Sequence, residues 1–93
     1  MKNVIVSIGN SDNKLAQHEW SQFVEQVSVF MKRYSHQQLF FGGSANWEPW
    51  QNVAWWVLIA DDDAEILKRK LKESKKLFGQ DSIAWLEGET LFL

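Results

Sequence analysis

Residues 53–60 read VAWWVLIA. Two tryptophans, two valines, a leucine and an isoleucine follow one another with no glycine or proline, the composition of a β-strand. Along a strand, Val53, Trp55, Val57 and Ile59 point to one face and Ala54, Trp56, Leu58 and Ala60 to the other. Both rows are apolar. An antiparallel sheet with one wet face alternates apolar with polar residues. This segment therefore predicts a central strand with both faces covered.

The flanking segments place that strand. Upstream, NVIVSI (3–8) is a short buried strand ending in Gly9, and GNSDNK follows as turn and cap formers. Leu15, Trp20, Phe23, Val24, Val27, Phe30, Met31 and Tyr34 then recur at helical spacing. Ser11, Asp12 or Asn13 is the expected N-cap of that helix. Gln38–Phe41 reads as a second strand, stopped by Gly42-Gly43. Downstream, Asp61-Asp62-Asp63 opens a second helix, with Asp62 and Glu65 spaced as a capping box. Ala64, Leu67, Leu71 and Leu77 or Phe78 form its inner face, lysines crowd the rest, and Gly79 stands where a C′ glycine belongs. Ser82–Leu86 is a fourth strand, Glu87-Gly88-Glu89 a turn, and Thr90–Leu93 is available as a short fifth strand.

The order β-α-β-β-α-β in a single α+β domain over residues 1–93 resembles the ferredoxin-like split βαβ sandwich. Right-handed crossovers put strands one and three in the centre and both helices on one face of an antiparallel sheet. A chain of this length buries ~60–70% of its unfolded surface, enough for one core.

That topology gathers three loops at one end: GNSDNK, GGSANWEPWQN (42–52) and GQDS. With them lies the N-terminus of the first helix, which attracts anions. Asn10, Ser11, Asp12, Asn13 and Lys14, Trp47, Trp50, Gln51 and Asn52, and Gln80, Asp81 and Ser82 are the expected ligand- or partner-binding residues. Flat apolar walls with a few placed polar groups suit a small anionic ligand or a protein partner. The alternative for Trp47 and Trp50 is to fold back over the core.

The second apolar row needs a cover. Trp56, Leu58, Ala84 and Leu86 are the expected dimer face, packed on a second copy or another protein, unless TLFL (90–93) folds over it.

Chemistry is harder to place. The net charge of −2 argues against a phosphate-gripping protein. No cysteine excludes disulfides, thiolate metal sites and cysteine nucleophiles. His18 and His36 sit at opposite ends of the first helix, and Asp61-Asp62-Asp63 lacks a calcium-loop pattern. No cofactor and no metal are expected. No apolar run of ~20 residues spans a bilayer, so a cytoplasmic protein is expected. The function expected is a non-catalytic ligand-binding or protein-interaction domain acting through the loop edge. The alternative is a small enzyme there, with Asp12 or Asp81 as acid–base group and Lys14 as electrophile. The third reading is an RNA-binding module using sheet aromatics.

Overall fold

The computed structural model describes residues 1–10, 14–44 and 51–93. The elements are β1 (Lys2–Gly9), α1 (Gln17–Tyr34), β2 (Gln37–Gly43), β3 (Asn52–Ile59), α2 (Asp61–Leu77) and β4 (Ala84–Gly88). The strands form one antiparallel sheet in the order β2-β3-β1-β4. This is an α+β fold in β-α-β-β-α-β order, compatible with a ferredoxin-like arrangement, with β1 and β3 central as the sequence predicts.

The two rows of 53–60 separate cleanly. Trp55, Val57 and Ile59 are buried beneath the helices beside Val4, Val6 and Ile8 of β1. Phe23, Val27 and Met31 of α1 and Ala64, Leu67 and Leu71 of α2 close this core. Phe23 bridges the helices, its ring centroid 5.0 Å from that of Phe78. Trp55 is the largest fully buried side chain, and the Phe41 ring packs 5.4 Å from it. A buried aromatic of this size removes ~150–250 Å² from water, so Trp55 anchors the sheet to the helices.

Phe41 reaches that position through an irregularity. The β2–β3 register shifts between Gln38 and Phe40, adding Leu39 on the β2 side. Such a bulge leaves one residue unpaired and turns the next side chains. The strand also runs through Gly42 and Gly43 instead of stopping at them. The glycine at 43 is sterically required: a Cβ there would run into the Asn52 carbonyl oxygen.

Both helix starts differ from the sequence expectation. α1 begins at Gln17 with Ala16 at the cap, and Glu19 accepts the Ala16 N–H at 3.0 Å. The cap is therefore not Ser11, Asp12 or Asn13. α2 begins at Asp61 with Ala60 at the cap, so all three aspartates lie in the first turn, where the helix dipole favours them. At its other end, Gly79 (φ 62°) donates to Lys76 O at 3.1 Å and Gln80 N–H to Lys75 O at 2.8 Å. These two bonds make a Schellman cap, whose left-handed residue glycine adopts at least cost.

β4 starts two residues later than the sequence suggests and takes in Glu87 and Gly88. Glu87 pairs opposite Val4, and its carboxylate accepts from Trp85 Nε1 at 3.0 Å and Lys2 Nζ at 3.4 Å. Those bonds hold as strand what the residue types alone mark as turn. Thr90–Leu93 form no fifth strand; Leu91, Phe92 and Leu93 are exposed.

Ser74 is buried in α2, and its hydroxyl has no hydrogen-bond partner among the described residues. An unpaired buried hydroxyl is destabilising, and alanine has the higher helix propensity. Ser74→Ala should therefore raise Tm by a few degrees in thermal unfolding followed by circular dichroism.

Candidate functional site

The end of the sheet where β1 stops and β3 and β4 start holds the described ends of the three predicted loops. Gly9 lies opposite Asn52, and Ser7 opposite Ala84. Among the described residues of this end, the polar side chains mostly bond to one another.

Asn10 is 2% exposed and fully engaged. Its Oδ1 accepts the Leu15 N–H at 3.0 Å, and its Nδ2 donates to the Leu15 carbonyl at 3.0 Å and to Gln51 Oε1 at 3.1 Å. Its backbone N–H donates to the Gln51 carbonyl at 2.8 Å. One side chain thus closes the β1–α1 loop on Leu15, which enters the core, and ties that loop to the start of β3. Gln51 extends the network through a reciprocal amide pair with Gln17 (2.9 and 3.0 Å), at the first residue of α1. Asn10 and Gln51 are structural clamps, with Asn10 unavailable to a ligand.

The other predicted residues divide. Lys14 Nζ donates to Asp81 Oδ2 at 2.7 Å, joining the β1–α1 and α2–β4 connections across the surface. That hydrogen bond, the Lys14 charge and the nearby Lys75 charge hold the Asp81 carboxyl below the ordinary aspartate range. Gln80 donates from Nε2 to the Phe78 carbonyl at 3.1 Å, continuing the α2 cap. Asn52 is exposed, and its backbone N–H donates to Ser44 Oγ at 3.1 Å. Ser82 is exposed beside Asp81. Ser11, Asp12, Asn13, Trp47 and Trp50 lie outside the described residues.

The second surface is the sheet face away from the helices. Trp56 and Leu58 are half-buried there, and Ala84 and Leu86 are exposed, Leu86 at 62%. The strand registers add Ile5 of β1 and Phe40 of β2, the latter 55% exposed. The alternation of residues 3–8 contained the signal for Ile5, since Val4 and Val6 occupy the other face. Trp56 Nε1 donates to Asn3 Oδ1 at 3.2 Å, and Thr90 Oγ1 donates to the same oxygen at 3.2 Å. A recess of about 340 Å³ opens here, lined by Asn3, Ile5, Trp56, Leu86 and Thr90 among others. The exposed Leu91–Leu93 leaves this face uncovered by the C-terminal segment.

Compared with known protein-family models and with curated proteins, the chain matches none.

Two measurements test the clamp and the ion pair. Asn10→Ala orphans the buried Leu15 N–H and carbonyl and should cost about 1–3 kcal/mol, read by urea unfolding. Asp81→Asn tests the pair with Lys14. A carboxylate with a lowered folded-state pKa contributes stability above its unfolded pKa and loses it as pH falls through the folded value. The variant should thus be slightly less stable than wild type at pH 7, with a gap that shrinks in high salt and closes once pH drops below the ordinary aspartate range.

Proposed function

We propose that the chain is a non-catalytic protein-interaction domain whose main contact surface is the uncovered sheet face, with a second copy as partner. The observation that supports this most is the chemistry of that face. Ile5, Phe40, Trp56, Leu58 and Leu86 form an apolar surface, and the registers place no charged side chain between them. Contiguous apolar surface of this kind marks an interaction site on a soluble protein. In a two-fold dimer the same patch meets itself, so a charged patch would repel its copy. The apolar centre suffers no such penalty, and the acids of the recess, Glu87 and Glu89, stand at its β4 border.

The loop edge is the second surface of this proposal, for a ligand or a protein partner. Lys14, Asp81 and Ser82 are exposed there beside the start of α1. The enzymatic alternative finds less support. An acid–base carboxyl working near neutral pH needs a raised pKa, and Asp81 is shifted the other way by Lys14. The RNA reading has aromatics on the open face in Trp56 and Phe40, but no basic residue beside them in the sheet registers.

Sedimentation and light scattering decide the matter. Wild type should run as a dimer. Leu86→Asp and Phe40→Asp, both at exposed positions, should run as monomers with Tm values within a few degrees of one another. A wild-type chain that stays monomeric at high concentration overturns the dimer. Quenching of Trp56 fluorescence by single-stranded RNA, lost at high salt, would favour the RNA reading instead.

A further inference from the structure

The opposite side of β4 carries a groove of different chemistry. It lies between α2 and β4, with a volume of about 280 Å³. Leu71, Ile83 and Trp85 give it an apolar floor, and Lys68, Lys72 and Lys75 give it a basic rim. The three lysines are four and three residues apart, so one helical face presents them as a row. By the helical rise that row is about 10 Å long, the length of about three strand residues.

The charges of this groove are unevenly satisfied. Lys68 already faces Glu65 at 3.3 Å and Glu87 at 3.6 Å, and its ammonium lies 5.1 Å from the Trp85 ring centroid. Lys72 and Lys75 make no ion pair among the described residues. Asp81 is the single acid in the lining, and Lys14 holds it. Asp81 also feels the charge of Lys75, so among the described residues Lys72 is the lysine of the rim farthest from neutralisation, and the groove stays net positive.

The groove also borders an open strand edge. β4 is the last strand of the order and among the described residues pairs only with β1, so its outer backbone groups face away from the sheet. Exposed edges of this kind accept an added strand. The chain's own C-terminal segment is poorly placed to fill it. Thr90 bonds to Asn3 on the opposite face of the sheet, and TLFL contains no acidic side chain.

From this juxtaposition of open edge, apolar floor and basic row, we propose that β4 and α2 receive an extended acidic segment of a partner protein. The segment adds as a strand alongside β4. Alternate residues then point toward α2, as Ile83 and Trp85 do. An apolar side chain of the segment enters the floor, and carboxylates two residues to either side meet Lys72, Lys75 and Lys68. Nucleic acid shares the negative charge but has no peptide backbone to pair with β4, so the strand edge selects the peptide. This surface is distinct from the sheet face proposed for self-association, and the two proposals fail independently.

The test uses the full chain, isotope-labelled, and a synthetic peptide alternating threonine with glutamate, isoleucine and glutamate along one face. Amide shifts should map to 84–88 and 68–75, and affinity should fall as salt rises. Lys72→Glu/Lys75→Glu should weaken binding at least about tenfold, while Lys32→Glu/Arg33→Glu on α1 leaves it unchanged. Lys72→Gln/Lys75→Gln, with unfolding monitored alongside, guards against a folding defect and should weaken binding in the same direction. Absence of binding, shifts confined to the loop edge or the open face, or equal binding of a glutamine-substituted peptide would overturn the proposal. So would tighter binding of a single-stranded oligonucleotide at the same residues.

Discussion

β1 and β3 lie antiparallel from the Lys2–Ile59 pair to the Gly9–Asn52 pair, each flanked by a further strand. Their helix-facing residues Val4, Val6, Ile8, Trp55, Val57 and Ile59 are at most 2% exposed. A one-residue slip of either strand would turn its three side chains out of the core and bring in their neighbours, Asn3, Ile5 and Ser7 on β1 or Ala54, Trp56 and Leu58 on β3. The register is therefore held by burial. The ends of the two strands then fix where every connection leaves the sheet, and which edges β2 and β4 occupy.

From that constraint the surfaces take their different characters. At one end the loops are bound together by Asn10, Gln51 and Gln17, a polar cluster whose members satisfy one another. Buried amides are tolerated when their hydrogen bonds are made, and they then hold one arrangement of the chain. The other face is apolar through Ile5, Phe40, Trp56, Leu58 and Leu86, and among the described residues no helix crosses it. The α2–β4 groove is basic because α2 turns Leu67 and Leu71 inward and a row of its lysines over the edge strand.

The order of elements and the burial of Trp55, Val57 and Ile59 were legible in residue types and periodicity, whereas Val53 of the same row is only partly buried and the optional fifth strand at Thr90–Leu93 does not form. Also legible was the meeting of the three loops' described ends, which follows from element order alone. Element limits were less so. The end of β2 was read from its glycines, although backbone crowding at Gly43 keeps them within the strand. The start of α1 was read from three cap-forming residues, although the Asn10–Leu15 bonds close that loop before the helix begins. Residue types mark Glu87 as turn, although its carboxylate is held by Trp85 and Lys2.

The sequence by itself determined which residues are hydrophobic at which period, and hence the elements, their order and the two faces of the central strand. Only the tertiary structure decided the roles of the polar residues. Asn10 and Gln51 are 41 positions apart, Lys14 and Asp81 67 apart. No period links such residues, and a hydrogen bond forms only where the fold brings donor and acceptor within about 3 Å. Among the described residues, that separates Asn10 as a clamp from Lys14, Asp81 and Ser82 as surface. It also places the lysines of α2 beside an open strand edge, a pairing that neither segment shows alone.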